Sequence, residues 1–373
     1  MTLRERIVAV YRGETPDVVP FVLDLSHWFY WKERRPWDLS LSYAEPERAL
    51  IDYHRHVGAG FYMPNLGAFH ASHWPEGVRS EVTRSVQGGQ AQIAWRLETP
   101  QGAIERARRW EERTYAWGIS RWGIRTEADL RVFACAMGGR RYTPLWGNWR
   151  AWDEYVGDLG VVYLPAGYSA MGHLLHYWMG VEQVAYAAAD CPGALQETVE
   201  TVNANNLEMI DLLCASPAQV VIMGDNFSSD VQPPHFFARY SAPYYRQAVA
   251  RLHAAGKRVA VHIDGKLRGA LAMVAATGAD AGDAITPGGI GGLSAAQCRQ
   301  EAGPDFVLSG GVSPELWLPD APLAAFDQAV LAWLELRRQS PRLLAAAGDQ
   351  VPPGADETRM RRMRDLVEEC GRF

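Results

Sequence analysis

Cysteine is scarce in this chain and follows no pattern. The 373 residues contain five cysteines, an odd number, scattered at positions 135, 191, 214, 298 and 370. No two of them form a Cys-x-x-Cys pair. A disulfide framework and a zinc-finger module are therefore both unexpected.

Long apolar runs and blocks of basic residues are missing as well. The net charge is -6 and no Lys/Arg stripe is present, which argues against nucleic-acid binding. No apolar run has the length of a membrane span, and the first residues lack an apolar signal region. We therefore expect a cytoplasmic protein without a nucleic-acid or membrane partner.

What the chain does contain is apolar residues, 48% of the total, in alternating strand and helix patterns. Strands are predicted at 18–25, 61–65, 161–164, 219–223, 257–263, 280–285, 305–309 and 342–347. Helices are predicted at 2–12, 45–57, 178–189, 193–215, 242–255, 266–277, 294–302, 322–338 and 356–369. Such alternation gives an α/β fold with a parallel sheet, and about eight units predict a (β/α)8 TIM-type barrel. We expect one domain over residues 1–373.

Residues 79–109 have a different character. Three short strand patterns, at 82–86, 91–97 and 103–107, are separated by Gly88-Gly89 and by the turn 99–102. This stretch predicts an antiparallel β insertion in a protein that otherwise alternates.

Polar residues recur at the carboxyl ends of the predicted strands, where barrel enzymes place their chemistry. His262 and Asp264 are two residues apart and face the same side of their strand, and Gly265 lets the chain turn after them. A hydrogen-bonded core histidine and a helix N-cap are the alternative reading of this pair. The other strand-end residues are Asp24, His27, Asn65, Asp225, Asn226, Asp283, Ser309 and Asp349.

Several segments together resemble the uroporphyrinogen decarboxylase superfamily, which includes corrinoid-linked methyltransferases and is related to cobalamin-independent methionine synthase. The matching segments cover nearly the whole chain: residues 13–21, 99–102, 224–226, 262–266, 310–312 and 348–353. The resemblance implies a barrel enzyme with its site at the strand ends.

Two departures bear on the function. The superfamily's decarboxylases carry an arginine-rich stretch after the first strand, which receives the substrate's propionates. Here residues 24–31 are aromatic instead, which argues against haem biosynthesis. The methyltransferases hold zinc with two thiolates, but Asp264 stands where the first would be and Ser309 or Gly310 near the second. Metal-free acid/base work by His262 and Asp264 is favoured over a zinc site made of His262, Asp264 and another carboxylate.

The resulting hypothesis is methyl transfer between a small methylated substrate, aromatic ones included, and a corrinoid protein or a folate such as tetrahydrofolate. The predicted catalytic residues are His262, Asp264, Asp225 and Asp24. The predicted substrate-binding residues are His27, Trp28, Trp31, Asn65, Asn226, Asp283 and Ser309. A decarboxylase or lyase with a carboxylate proton donor is the first alternative, and a non-catalytic tetrapyrrole- or metabolite-binding barrel is the second. The protein is expected to be a monomer or a homodimer.

Overall fold

The protein is an α/β structure built around parallel strands. The structure is a computed structural model, which describes residues 1–64 and 67–373. Within these residues the strands are β1 His70–His73, β2 Arg79–Gln87, β3 Gln90–Thr99, β4 Gly102–Glu111, β5 Ala116–Arg121, β6 Arg141–Pro144, β7 Leu164–Pro165, β8 Val220–Met223, β9 Arg258–His262, β10 Ala281–Ile285, β11 Val307–Val312 and β12 Leu343–Ala347.

Helices follow most of the strands. The α-helices are α1 Leu3–Arg12, α2 Ser26–Lys32, α3 Arg48–Val57, α4 Glu127–Met137, α5 Trp146–Val156, α6 Ala170–His173, α7 Val181–Asp190, α8 Pro192–Cys214, α9 Pro234–Tyr240, α10 Ala242–Ala254, α11 Ala270–Ala275, α12 Ala295–Ala302, α13 Leu323–Glu335 and α14 Glu357–Cys370. A π-helical turn, Leu174–Trp178, follows α6. None of the helices in the described part of the chain has the length and apolarity needed to cross a membrane.

Six parallel strands form the central sheet, in the order β7-β8-β9-β10-β11-β12. Each strand lies beside its neighbour in sequence, as expected when a helix returns the chain to the same edge. Every residue of β10, β11 and β12 is buried. Burial on both faces explains why these strands lack the polar alternation of a half-exposed sheet.

Isolated parallel bridges extend this sheet towards the start of the chain. They pair Phe21 with Ala345, Val22 with Gly60, and Phe61 with Gly160. The backbone N–H of Ala345 also donates to the carbonyl of Pro20, at 2.9 Å. The parallel sheet is as predicted. Closure into an eight-stranded barrel stays a prediction, which these bonds support.

The antiparallel insertion is confirmed and is larger than predicted. Strands β2 to β5 form one antiparallel sheet in sequence order, which extends to Arg121 rather than ending at residue 109. Leu97 and Ile104, on neighbouring strands of this sheet, belong to one apolar cluster with Leu130 and Phe133 of α4. This packing fixes one face of the insertion against the helical layer.

The first predicted strand does not form a continuous strand. Residues 18–25 form only isolated bridges, and helix α2 begins directly at Ser26. Neither Gly nor Pro separates the two segments, so the sequence lacks the usual signal of a boundary. Helix α2 determines where the aromatic residues of this region point.

Candidate active site

A cavity of about 340 Å³ opens at the carboxyl ends of the parallel strands. We call it the strand-end cavity. Predicted site residues that line it are Asp24, Asn226, His262, Asp264 and Asp283, and they are joined by Tyr62, Met63, Pro165, Gly167, Tyr168, Ile222, Gly224, Asp349 and Gln350. Convergence of polar residues from separate strands is what the sequence predicted for this edge of the sheet.

His262 is the last residue of β9 and is held by Asp283 of the neighbouring strand. Its Nδ1 donates to Asp283 Oδ2 at 3.1 Å. The Asp283 side chain is only 3% exposed, and the hydroxyl of Ser309 donates to its other oxygen at 3.2 Å. Hydrogen bonds on both carboxylate oxygens fix the carboxylate, which in turn fixes the imidazole ring.

A second carboxylate approaches the other side of the ring. His262 Nε2 lies 3.8 Å from Asp349 Oδ1. Burial lowers the pKa of His262, but the hydrogen bond to Asp283 and the charges of Asp349, Asp283 and Asp264 outweigh it and raise the pKa to about 9. The imidazole is therefore positively charged at neutral pH.

Asp349 has its own altered acidity. Burial raises its pKa to about 6, an effect that His262 opposes and Asp264 reinforces. Its side chain is 36% exposed, so it is in contact with the cavity rather than enclosed in the core. Asp349 thus exchanges a proton closer to neutral pH than an ordinary aspartate.

The backbone next to Asp283 is strained. Ala284 has φ of 63°, in the left-handed region that residues with a side chain rarely adopt, and the register of β10 against β11 shifts between Gly282 and Ile285. At Gly310 of β11 a Cβ atom would lie 2.1 Å from the Ile285 carbonyl oxygen, so only glycine fits. Strain of this kind is concentrated at functional sites, where it aims particular side chains.

Asp24 lines the strand-end cavity from the segment that precedes α2. Its Oδ1 accepts hydrogen bonds from the backbone and hydroxyl of Ser26, at 2.9 and 2.6 Å. Gln350 Nε2 donates to its Oδ2 at 3.3 Å. Burial raises the pKa of Asp24, although these hydrogen bonds counteract it. Hydrogen bonds on both oxygens therefore hold the Asp24 carboxylate in place beside the strand-end cavity.

Asp225 does not reach this cavity, contrary to the role predicted for it. The residue is fully buried, and its oxygens accept hydrogen bonds from the backbone N–H of Ser169 and from the hydroxyl of Tyr245, both at 2.6 Å. The next residue, Asn226, has φ of 45° and does line the cavity, where its side-chain oxygen accepts a hydrogen bond from Tyr168. Asp225 therefore fixes the start of α6, and its catalytic role stays a prediction.

The aromatic segment was predicted to enclose the substrate, but it turns away from the strand-end cavity. Trp28 is 2% exposed and donates its indole N–H to the carbonyl of Ala355. His27 Nε2 lies 3.0 Å from the carbonyl oxygen of Tyr115, in the insertion. Trp31 packs against the core and under the guanidinium of Arg34. Helix α2 gives these residues structural contacts, because it directs them toward the core and the insertion.

Ser309 and Asn65 are the remaining residues that the sequence predicted for the site. Ser309 acts through Asp283 and does not line the cavity. Asn65 lies outside the described residues. Sequence reasoning missed Tyr168 and Gln350 as lining residues. The segment Gly348-Asp349-Gln350 carried a signal for Gln350, whereas nothing local marked Tyr168.

The zinc site predicted for His262, Asp264 and another carboxylate is not assembled among the described residues. No group of three or more His, Cys, Asp and Glu side chains suited to a metal ion occurs in residues 1–64 and 67–373. The Nδ1 atom of His262 is already engaged by Asp283. The described donor set therefore does not fit a structural or catalytic zinc ion.

Comparison with known proteins agrees with this arrangement of strands. The model of the family "Uroporphyrinogen decarboxylase (URO-D)" matches residues 164–370, more than half of the chain. The chain belongs to this family. No curated protein matches it.

Among solved structures, a methyltransferase from Methanosarcina mazei is similar over 99% of each chain. The TM-score is 0.62 and the sequence identity is 14%. At this identity the similarity demonstrates a common fold only.

Proposed function

We propose that this protein is a methyltransferase that removes a methyl group from a heteroatom of a small substrate. The observation that carries the proposal is the charged His262, held between Asp283 and Asp349 in a cavity of small-molecule size. Family membership and the fold shared with a methyltransferase support it. We further infer that the sheet closes into one barrel domain spanning the chain.

In the proposed reaction, the bond between the methyl carbon and the substrate heteroatom breaks as a nucleophile takes the methyl group. The heteroatom keeps the bonding electron pair, and the Nε2–H of His262 protonates it. Asp283 keeps the ring oriented through Nδ1 and compensates the imidazolium charge before the transfer. Asp349 then returns a proton to the ring from water.

The remaining cavity groups bind and orient the substrate. Asp264, Asn226 and Asp24 line the strand-end cavity and offer hydrogen-bond acceptors. A corrinoid protein or a folate would supply the methyl acceptor as a second substrate, with the reduced corrinoid acting as the nucleophile. No step depends on zinc, because the described donor set does not fit that ion.

The proposal is tested by methyl transfer to free cob(I)alamin, followed by its change in absorbance. The methyl donors are a panel of methoxybenzoates, methylamines and methanol, each at pH 7. We expect transfer from at least one donor, and a loss of roughly a hundredfold or more in His262→Gln, the range for removal of a general acid.

His253→Gln is the matched control. His253 Nε2 lies 2.7 Å from Asp280, so it forms the same kind of pair, but at the other end of β10. Equal loss in both variants, or no transfer from any donor by the wild type, would contradict the proposal.

Decarboxylation is the second candidate, because the cavity contains carboxyl groups with raised pKa values. Asp349, with its pKa of about 6, is a suitable proton donor to a carbanion. Release of carbon dioxide from an aromatic acid without any methyl acceptor, lost in Asp349→Asn, would favour this reaction. A protein that binds ligands unchanged in His262→Gln and turns none over would favour the non-catalytic alternative.

A further inference from the structure

A second cavity, of about 350 Å³, lies between the insertion and the helical layer. We call it the insertion cavity. It shares Gly167 and Tyr168 with the strand-end cavity, so the two adjoin. Aromatic rings form much of its wall: Trp74, Trp95, Tyr142, Tyr168, Tyr177 and Trp178.

Arg106 is the central cation of the insertion cavity. It lies on β4 directly opposite Trp95 of β3, and its guanidinium is 4.0 Å from the centre of the Trp95 ring. The residue is 8% exposed. It forms no hydrogen bond or ion pair with any of the described residues, and its Nε atom is buried without a partner. Its guanidinium also lies over the rings of Tyr177, at 4.9 Å, and Trp178, at 5.1 Å.

Arg140 adds a second positive charge to the insertion cavity. Its donors reach only neutral acceptors, the carbonyl of Met137 and the side-chain oxygen of Asn206. No Asp or Glu is found among the described residues that line the cavity. Burial, followed by the charges of Arg140 and Arg106, lowers the pKa of His173 to about 3, so this lining histidine is neutral at physiological pH.

A buried guanidinium without an anion is an unfavourable arrangement. Burial, reinforced by Arg108, lowers the pKa of Arg106 to about 9, which shows that its surroundings disfavour the charge. Proteins normally pair such a group with a carboxylate or leave it in water. Here the side chain lines a cavity instead, which leaves space for an anion beside the guanidinium.

We infer that the insertion cavity binds the carboxylate of a planar aromatic acid. The carboxylate pairs with Arg106 and Arg140, and the ring stacks among Trp95, Tyr168 and Tyr177. Guanidinium groups are suited to bidentate carboxylate recognition, and aromatic walls suit a flat apolar ring better than a flexible aliphatic acid.

Tyr168 connects this inference to the proposed reaction. Its ring borders both cavities, and its hydroxyl donates to Asn226 at the strand-end cavity. A ring anchored by its carboxylate at Arg106 would direct its opposite side past Tyr168 towards His262. The identification of this acid as the methyl donor rests on the proposed function. The binding of an aromatic carboxylate in the insertion cavity does not depend on that function.

The test is a binding measurement without any methyl acceptor. Quenching of tryptophan fluorescence and calorimetry are used to follow 3-methoxybenzoate, benzoate and the neutral analogue benzamide. We expect both acids to bind and benzamide to bind at least roughly tenfold more weakly, as expected when a charge-assisted hydrogen bond is lost. Arg106→Gln should weaken binding of the acids by a similar factor and leave binding of benzamide nearly unchanged.

Arg96→Gln is the control, because Arg96 lies on β3 of the same sheet but pairs with Glu98 at 2.8 Å and does not line the cavity. Equal affinity of Arg106→Gln and wild type for benzoate would overturn the inference. So would equal affinity of the wild type for benzoate and benzamide, or no binding of either acid. Specific binding of the acids without methyl transfer would instead contradict the proposed function alone.

Discussion

The two adjoining cavities have opposite charge. The strand-end cavity contains Asp24, Asp264, Asp283 and Asp349 around one charged histidine, whereas the insertion cavity contains two arginines and no described carboxylate. In the first, the cation already has its partner, since His262 is bound to Asp283. In the second, Arg106 has none. A cation paired within the protein is suited to moving a proton, and an unpaired one is suited to binding an anion.

Among the variants that test this contrast between the two cavities, Asp283→Asn should have the largest effect, because it removes the charged partner of His262. The pKa of His262 falls, the proton donor is depleted at neutral pH, and we expect methyl transfer at pH 8 to drop by about a hundredfold. The measurement is the rate of transfer as a function of pH, whose upper limb should move to lower pH. Asp280→Asn, just before the same strand, serves as the control. An unchanged profile in Asp283→Asn would refute the role of the pair.

Tyr245→Phe tests whether Asp225 stabilises the fold, in contrast to the residues that line the strand-end cavity. Loss of its hydroxyl leaves a buried oxygen of Asp225 without a donor, and we expect the free energy of unfolding to fall by about 1–3 kcal/mol. Transfer per folded molecule should be unchanged. Tyr186→Phe removes a similar bond to Glu182 on the surface and should have little effect on stability. A selective loss of activity with normal stability would restore Asp225 to the predicted catalytic set.

The charge of His262 should also appear in the pH dependence of stability. Its pKa is about 9 in the folded protein, against an ordinary value near 6.5 when unfolded. The folded state therefore binds more protons between these values. The stabilising contribution is complete below pH 6.5 and is lost as pH rises through 9. Thermal unfolding should show wild type losing more stability than His262→Gln over this interval, and parallel curves would contradict the assigned charge.

Arg106→Met should have the smallest effect, a change in melting temperature. Whether that temperature rises or falls distinguishes a ligand-binding arginine from a structural one. Removing an unpaired buried charge while keeping an apolar stem should raise the melting temperature, by roughly 1–2 °C for about 1 kcal/mol in a chain of this length. A structural arginine would instead lower it on removal. Differential scanning calorimetry of wild type, Arg106→Met and Arg96→Met provides the comparison, with the last expected to remain near wild type.

The strand-end cavity was largely predictable, and the insertion cavity was not. Alternation of strands and helices predicted which residues end the parallel strands, so His262, Asp264 and Asp283 could be placed together from the pattern of residues alone. Asp225 lies away from the cavity because adjacent residues at a strand end point in different directions, and the sequence does not show which of Asp225 and Asn226 faces the cavity.

Long-range contacts explain the remaining differences between the sequence predictions and the structure. The aromatic residues of α2 lie away from the strand-end cavity because a helix, which the sequence did not predict, begins at Ser26 directly after the predicted strand 18–25. Arg106 could be assigned to a strand, but its environment depends on Trp95 across the hairpin and on Trp178, far along the chain. Arg106 lacks a counter-charge because of how the folded chain surrounds it. No local sequence pattern indicates this.

The position of the insertion has a consequence for how such enzymes can diversify. The match to the family begins at residue 164, whereas Trp95 and Arg106 lie on an earlier hairpin. His262, Asp283 and Asp349 of the strand-end cavity all belong to the matched part. If the insertion cavity binds the acid as inferred, its lining comes partly from this hairpin and partly from the matched part, at Tyr168 and Tyr177. Changes confined to the hairpin would then alter which compounds bind and leave His262, Asp283 and Asp349 untouched.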